Sequence, residues 1–130
     1  TNELAGRVRV AFAEYEASAE QSTITMFTIP NGARLLSATV SHDALAASTT
    51  LSVGNAAYTD ADGTAVALDV DAYKAAAAST AATSSDALVT MALGKNAVVD
   101  ANEDGLPVTV TLAGADGAGT IQLQMFYVLD

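Results

Sequence analysis

The end of the chain shows the clearest alternation of apolar and polar positions. From residue 121 onward, every second residue is large and apolar: Ile121, Leu123, Met125, Tyr127 and Leu129. The residues between them form a mixed set: Gln122, Gln124, Phe126 and Val128. A period of two indicates a β-strand with one strongly apolar face. An exposed strand of this kind promotes aggregation, so we expect it to pair within the fold or with a partner subunit.

Other segments follow the same period or are rich in β-branched residues, and Gly, Pro, Asn or Asp separates them. We predict strands over 7–16, 22–29, 34–40, 49–54, 86–93 and 107–112, with shorter ones at 66–70 and 97–99. The first is predicted to be half-buried, with Val8, Val10 and Phe12 on one face. The glycine-rich stretch 113–119 is long enough for a hairpin turn before the terminal strand.

One segment favours a helix instead. Residues 71–78 begin with Asp71, whose carboxylate would complement a helix dipole, and continue into a run of alanines with high helix propensity. A helix this short needs packing against the rest of the domain to be stable. The small and polar residues 79–85 are predicted to form a loop.

Together these elements indicate an all-β protein, an antiparallel β-sandwich of the jelly-roll type with one short helical insertion around residues 71–78. The length of 130 residues fits one such domain. We assign residues 20–130 to the jelly-roll domain and residues 1–19 to an N-terminal arm or an added strand.

The charge of the chain limits its partners. Fifteen acidic residues against five basic ones give a formal charge of −10. Such a surface repels nucleic acids and anionic membranes and suits docking on a basic protein surface. No apolar run is long enough to span a membrane, so we expect neither nucleic acid nor membrane as a partner. The absence of cysteine excludes disulfides, thiolate metal sites and cysteine nucleophiles.

The loop from Asp100 to Gly105 has the spacing of a calcium-binding loop. Asp100, Asn102 and Asp104 would supply oxygen ligands at alternate positions, and Gly105 would permit a sharp turn. The twelfth position, which normally provides a bidentate Glu, is Thr111 within a predicted strand. We therefore favour an acidic turn between strands and predict no cofactor, with calcium at this loop as the alternative.

The remaining polar residues give no catalytic pattern. The acidic residues from Asp60 to Asp71 lack the bulky apolar neighbours that raise the pKa of a catalytic carboxyl, so a solvated loop is the simpler interpretation. His42 is the only histidine and is followed by Asp43, but adjacent strand residues point to opposite faces, and no nucleophile motif is present. We predict that the protein is not an enzyme; a jelly-roll hydrolase is the weaker hypothesis.

Four segments together resemble a known group of proteins. Their order is Phe27-Thr-Ile-Pro-Asn-Gly-Ala-Arg-Leu-Leu36, then Thr50-Leu-Ser-Val-Gly-Asn55, then the region around Tyr73, then 119–128. This order and spacing resemble small jelly-roll proteins of tailed bacteriophages, which include capsid decoration (head cement) proteins and are often trimeric. The resemblance covers about residues 20–130 and carries no catalytic or binding residue to transfer.

The resemblance implies a structural virion protein that decorates and stabilises a phage capsid. Its partners would be the major capsid protein lattice and its own copies in a homotrimer, on the capsid exterior. Phe126 and Val128, on the mixed face of the terminal strand, are the interface candidates. The alternative function is a glycan-binding jelly-roll module of a phage fibre or tail, calcium-dependent and lectin-like, with a groove lined by tyrosines.

Overall fold

The computed structural model describes residues 7–129 and consists almost entirely of β-strands. The eight strands are β1 (Val8–Ile29), β2 (Ala33–His42), β3 (Thr50–Asn55), β4 (Tyr58–Thr59), β5 (Ala65–Val66), β6 (Asp69–Ala78), β7 (Thr83–Asp86) and β8 (Leu106–Leu129). A single 3-10 turn, Met91–Leu93, is the helical element among the described residues. The predicted all-β, antiparallel, jelly-roll-like fold is confirmed. Residues 7–129 include no helix long and apolar enough to cross a membrane.

The terminal strand β8 lies at the centre of the main sheet. It pairs with β1 along nearly its whole length on one side, and with β3 and then β2 on the other. Strand β6 extends the sheet beyond β3, and β7 extends it beyond β2. The sheet therefore has two halves that share the long strands β1 and β8, and all of these pairings are antiparallel. Strands β4 and β5 form a separate small hairpin.

Both halves of the sheet contribute to one hydrophobic core. The alternation of the terminal strand sets its inward face, and Ile121, Leu123 and Met125 are fully buried. Residues from β8, β2 and β3 complete the cluster: Val108, Val110, Leu112, Leu35, Val40, Leu51 and Val53. The alternate residues Ile121, Leu123 and Met125 are buried, and the strand pairs with β1 and β2 within the fold. Both observations confirm the prediction for the terminal strand.

The predicted hairpin at 113–119 is wrong, because β8 continues through this segment as one bent strand. Gly114 has φ +84°, and a Cβ there would lie 2.4 Å from the carbonyl oxygen of Ser48. The paired strand bends at the same level: its register with β8 shifts between Ala17 and Ser22, and Ala19 has φ +52°. The glycines thus allow a bend of the paired strands, where the sequence indicated a chain reversal.

The predicted helix at residues 71–78 is also wrong, because these residues belong to β6. The strand pairs with β3, with Ala78 opposite Thr50 and Asp69 opposite Asn55. Helix propensity is a weak preference, and eight residues form too short a helix to persist alone. Backbone pairing at the edge of the sheet therefore overrides the propensity of the alanine run.

The region after β6 also differs from its prediction. Part of the expected loop 79–85 forms β7, whereas the expected strand 86–93 is mostly irregular and includes the 3-10 turn. Ala87 and Leu88 are buried in the core. The amide of Val99 donates to the carbonyl of Ala33, and the amide of Leu35 donates to the carbonyl of Ala97. Apolar residues in this segment thus fill the core without forming a regular strand.

The division of the chain at residue 19 stays a prediction. This position falls inside β1, close to the register shift with β8. Residues 1–6 of the proposed arm lie outside the described residues.

Candidate functional site

An open sheet face is the main candidate for a functional surface. Residues directly opposite each other in an antiparallel pair lie on the same face of the sheet. In the half-sheet formed by β1, the second half of β8, and β2, the face turned away from the core is here called the outer face. It comprises Val8, Val10, Phe12, Glu14, Glu16, Thr120, Gln122, Gln124, Phe126, Val128, Arg34, Ser37, Thr39 and Ser41.

One end of the outer face is apolar and exposed. Val8, Val10 and Phe12 are 62%, 55% and 57% exposed, and their neighbours Phe126 and Val128 are half-buried. Val128 lies opposite Val8, and Phe126 lies opposite Val10, so the five side chains are contiguous. These five residues are here called the apolar patch. Contiguous exposed apolar side chains are typical of interaction sites.

The polarity of β1 is the reverse of what its sequence pattern suggests. The side chains that face the core side are small or aromatic: Ala11, Ala13, Tyr15 and Ala17. The larger aliphatic residues and Phe12 point to the outer face. Alternation identifies two faces, but it does not say which one covers the core. The sequence thus identified Phe126 and Val128 of β8 as interface candidates, but it did not show that residues of β1 lie beside them on the same face.

The other end of the outer face is acidic and hydrogen-bonded. Gln122 Nε2 donates to Glu14 Oε2 over 2.7 Å, and Thr120 Oγ1 donates to Glu16 Oε2 over 2.5 Å. These cross-strand bonds orient both carboxylates along the sheet. The face therefore changes from apolar to negatively charged along β1.

Most of the positive charge lies at the apolar end. Arg7 and Arg9 flank Val8, and Arg34 lies opposite Val128. Arg34 Nη1 also donates to the carbonyl of Asn96 over 3.1 Å. Of these three arginines, Arg34 lies on the outer face, whereas Arg7 and Arg9 alternate with the patch residues of β1 and point to the opposite face. Because the chain has fifteen acidic residues, this is a basic region on an otherwise negative surface.

The structure brings together two acidic loops that are far apart in the sequence. The amide of Ala61 donates to Asp100 Oδ1 over 3.2 Å, and the amide of Asn102 donates to the carbonyl of Thr59 over 2.8 Å. Asn102 Oδ1 accepts from the amide of Asp104 over 3.0 Å. The side-chain oxygens of Asp100 and Asn102, two of the three proposed calcium ligands, thus accept hydrogen bonds from the backbone of turns.

Residues 7–129 contain no group of three or more His, Cys, Asp or Glu side chains placed to hold a metal ion. The calcium hypothesis for Asp100, Asn102 and Asp104 stays a prediction. On β6, a hydrogen bond to Asp69 and the charge of that carboxylate raise the pKa of Asp71. This is the expected effect of two neighbouring carboxyl groups on an exposed strand.

His42 is the last residue of β2 and lies in a shallow polar cleft of about 420 Å³ with Thr83 and Gln122. Its Nδ1 atom lies 2.8 Å from the backbone carbonyl of Asp43. The Asp43 carboxylate instead accepts from the amide of Thr120 over 3.2 Å. The neighbouring His and Asp therefore do not form the carboxylate–imidazole pair that general-base catalysis uses.

Two of the four tyrosines share a cavity. Tyr58 of β4 and Tyr73 of β6 line a space of about 200 Å³, together with Asp100 and apolar residues. Tyr15 instead donates its hydroxyl hydrogen to Glu20 over 2.7 Å. The sequence does not show that Tyr58, Tyr73 and Asp100 line the same cavity, because the three residues come from separate segments.

Comparison with known proteins places this fold among capsid structures. No family model matches the chain, and no curated protein matches it in sequence. A chain in the capsid asymmetric unit of cyanophage Pam1 is similar in structure, with a TM-score of 0.65 and 19% sequence identity. The match covers 100% of this chain and 90% of the cyanophage chain. A chain in the capsid of Ralstonia phage GP4 has a TM-score of 0.70 and 21% sequence identity. That match covers 100% of this chain and 89% of the Ralstonia phage chain. The chain thus shares its fold over its full length with components of two phage capsids.

Proposed function

We propose that this chain is a structural virion protein that decorates and stabilises a phage capsid by binding the major capsid protein lattice as a homo-oligomer. The observation that carries the proposal is the fold shared, over the whole chain, with chains of two phage capsids. The resemblance of its sequence segments to those of decoration proteins supports the same role.

Stabilisation would follow from mass action. A protein that binds the assembled lattice, and not the separate or unfolded subunits, lowers the free energy of the assembled state. Each bound copy that bridges neighbouring capsid subunits adds contact area that must be broken before the shell ruptures. The role requires binding surfaces and no chemical step, which agrees with the arrangement around His42.

The apolar patch is the surface we assign to contact between copies. Phe126 and Val128 were the sequence-based candidates, and Val8, Val10 and Phe12 extend them into one area. Arg34, beside Val128 on the outer face, would be attracted to the acidic remainder of a second copy, so we expect the patch to meet a different surface and not another patch. A contact between two different surfaces closes into a ring when the rotation permits, so we expect a cyclic oligomer, with a trimer as the first expectation.

The test uses shells assembled from the major capsid protein of the phage genome that encodes this chain. We expect the purified protein to co-sediment with mature shells and to raise the temperature at which they rupture. A variant carrying Phe126→Asp places a charge in the apolar patch and should bind with lower occupancy, whereas Met91→Asp changes an exposed residue elsewhere and should not.

Failure of the unaltered protein to bind mature shells would overturn the proposal. Binding of a glycan array, lost on chelation of calcium, would support the lectin-like alternative instead. Circular dichroism of each variant confirms that lost binding does not result from unfolding.

A further inference from the structure

The cavity between the β4–β5 hairpin and β6 has the composition of a binding site. Its volume is about 200 Å³, and its walls are Leu35, Tyr58, Tyr73, Val98, Asp100 and Leu106, with Ala97 and Val99. Cavities that hold whole small molecules usually measure about 300–1,000 Å³. A single side chain inserted from another protein suits a space of this size better than a sugar ring does.

The polar groups of the cavity are two phenols and one carboxylate. Neither the Tyr58 hydroxyl nor the Tyr73 hydroxyl makes a hydrogen bond to another residue of 7–129. Asp100 accepts the Ala61 amide through Oδ1, which leaves Oδ2 for another donor. No basic residue belongs to the lining. The cavity thus offers acceptors and aromatic faces with no cation to balance them.

Negative charge reaches the cavity from two loops and from the first residue of β6. Burial raises the pKa of Tyr58, and the carboxylates of Asp100 and Asp60 add to the effect. Burial also raises the pKa of Tyr73, with further contributions from Tyr58 and Asp69. The burial part of these pKa shifts disfavours a charge of either sign, whereas the part due to the carboxylates disfavours only a negative charge and favours a cation.

We propose that this cavity binds the side chain of a lysine or arginine from a partner protein. The apolar walls would contact the methylene stem, the tyrosine faces would contact the cationic group, and Asp100 Oδ2 would accept a hydrogen bond from it. The formal charge of −10 attracts a basic partner surface. The identity of that partner as a capsid protein rests on the proposed function, whereas the chemistry of the cavity does not.

The direct probe is propylguanidinium chloride, which carries the end of an arginine side chain. We expect saturable changes in the NMR signals of the Tyr58 and Tyr73 ring protons as the probe is added. Propylurea has nearly the same shape without the charge, and it should produce much smaller changes. Equal responses to both probes, or no response to propylguanidinium, would overturn the proposal.

Two substitutions test the assigned roles. Asp100→Asn keeps the Oδ1 acceptor for Ala61 but removes the charge, and Tyr58→Leu removes one aromatic face. Each should weaken propylguanidinium binding by about three- to tenfold. Asp116→Asn removes the same charge at the distant bend of β8 and keeps an acceptor for Gln21, so binding should be unchanged. An equal loss in Asp100→Asn and Asp116→Asn would indicate attraction by net charge alone and refute a specific site.

The same variants separate this inference from the proposed function. If propylguanidinium binds but Asp100→Asn still binds capsid shells like the unaltered protein, the cavity is a cation site that does not contact the capsid, and its assigned partner is wrong. If the chain binds no shells at all, the capsid role fails while the probe titration still decides the chemistry of the cavity.

Discussion

Replacement of Val10 and Phe12, two exposed apolar residues of β1, tests the apolar patch most directly. Val10→Thr and Phe12→Thr remove apolar surface, and threonine retains the β-branched shape that strands favour. Both side chains already point away from the core, with 55% and 57% of their surfaces exposed. The fold of the isolated chain should therefore change by no more than about 0.5 kcal/mol, as is usual for surface substitutions.

The expected effect on association follows from the remaining exposed surface. Full burial of a Val or Phe side chain contributes about 1.5–3 kcal/mol, so half-exposed side chains retain about 1 kcal/mol each for an interface. The double variant should then lose about 2 kcal/mol per contact, which is about a 30-fold increase in the dissociation constant between copies. The loss falls on association because the exposed part of each side chain contacts solvent in the monomer and is buried only in the interface.

Sedimentation velocity over a concentration series measures this dissociation constant, and calorimetry checks the fold. Met91→Thr is the matched control, because Met91 is 81% exposed and lies outside the outer face. We expect it to leave association unchanged. The reasoning is refuted if Met91→Thr weakens association as much as the double variant does, or if the folded double variant associates like the unaltered chain.

Three further outcomes follow from other parts of the structure. Gly54→Ala places a Cβ 2.0 Å from the Asp69 carbonyl oxygen and should lower the free energy of unfolding by about 2–4 kcal/mol in urea titrations. Gly63→Ala has open space around its Cβ but a φ of +88°, and it should lower the free energy of unfolding by only about 1–2 kcal/mol. Hydrogen bonds from Tyr15 and Ser22 lower the pKa of Glu20. The ionised Glu20 therefore stabilises the fold above the ordinary carboxyl pKa, and this stabilisation is lost as the pH falls through the lowered pKa. The difference in melting temperature between the unaltered chain and Glu20→Gln should therefore shrink from about pH 5 to about pH 3. A chelator should leave the melting temperature unchanged, and a large decrease would restore the calcium hypothesis.

The inward face of the terminal strand was predictable because one of its two faces is far more apolar than the other. Ile121, Leu123 and Met125 are buried as the pattern indicates. The predicted strands 22–29 and 34–40 fall within observed strands, and 49–54 overlaps β3. The prediction failed at 71–78 because alanine favours a helix locally, whereas pairing with β3 is a contact with a distant segment. It failed at 113–119 because glycines permit a bend in a continuous strand as well as a reversal.

The candidate site was less accessible from the sequence than the fold. Phe126 and Val128 were recognisable as apolar residues on a mixed face, but Val8, Val10 and Phe12 had the same pattern as a core strand. Only the pairing of β1 with β8 shows that all five lie on one side of the sheet. The cavity of Tyr58, Tyr73 and Asp100 depends on three segments whose proximity results from the pairing of β3 with β6 and from the contact of Asp100 with the amide of Ala61.

The distribution of charge explains how a protein can expose the apolar patch and still select its partner. An apolar area on an edge strand binds non-specifically unless the surrounding charges favour one approach. Here Arg34 lies beside Val128 on the outer face, while Glu14 and Glu16 continue the same face towards its acidic end. The Arg34 side chain would be attracted to an acidic surface of another copy, and it would be repelled by the Arg34 of a second patch. This asymmetry favours contacts between unlike surfaces, which is the type of contact that the proposed cyclic oligomer requires.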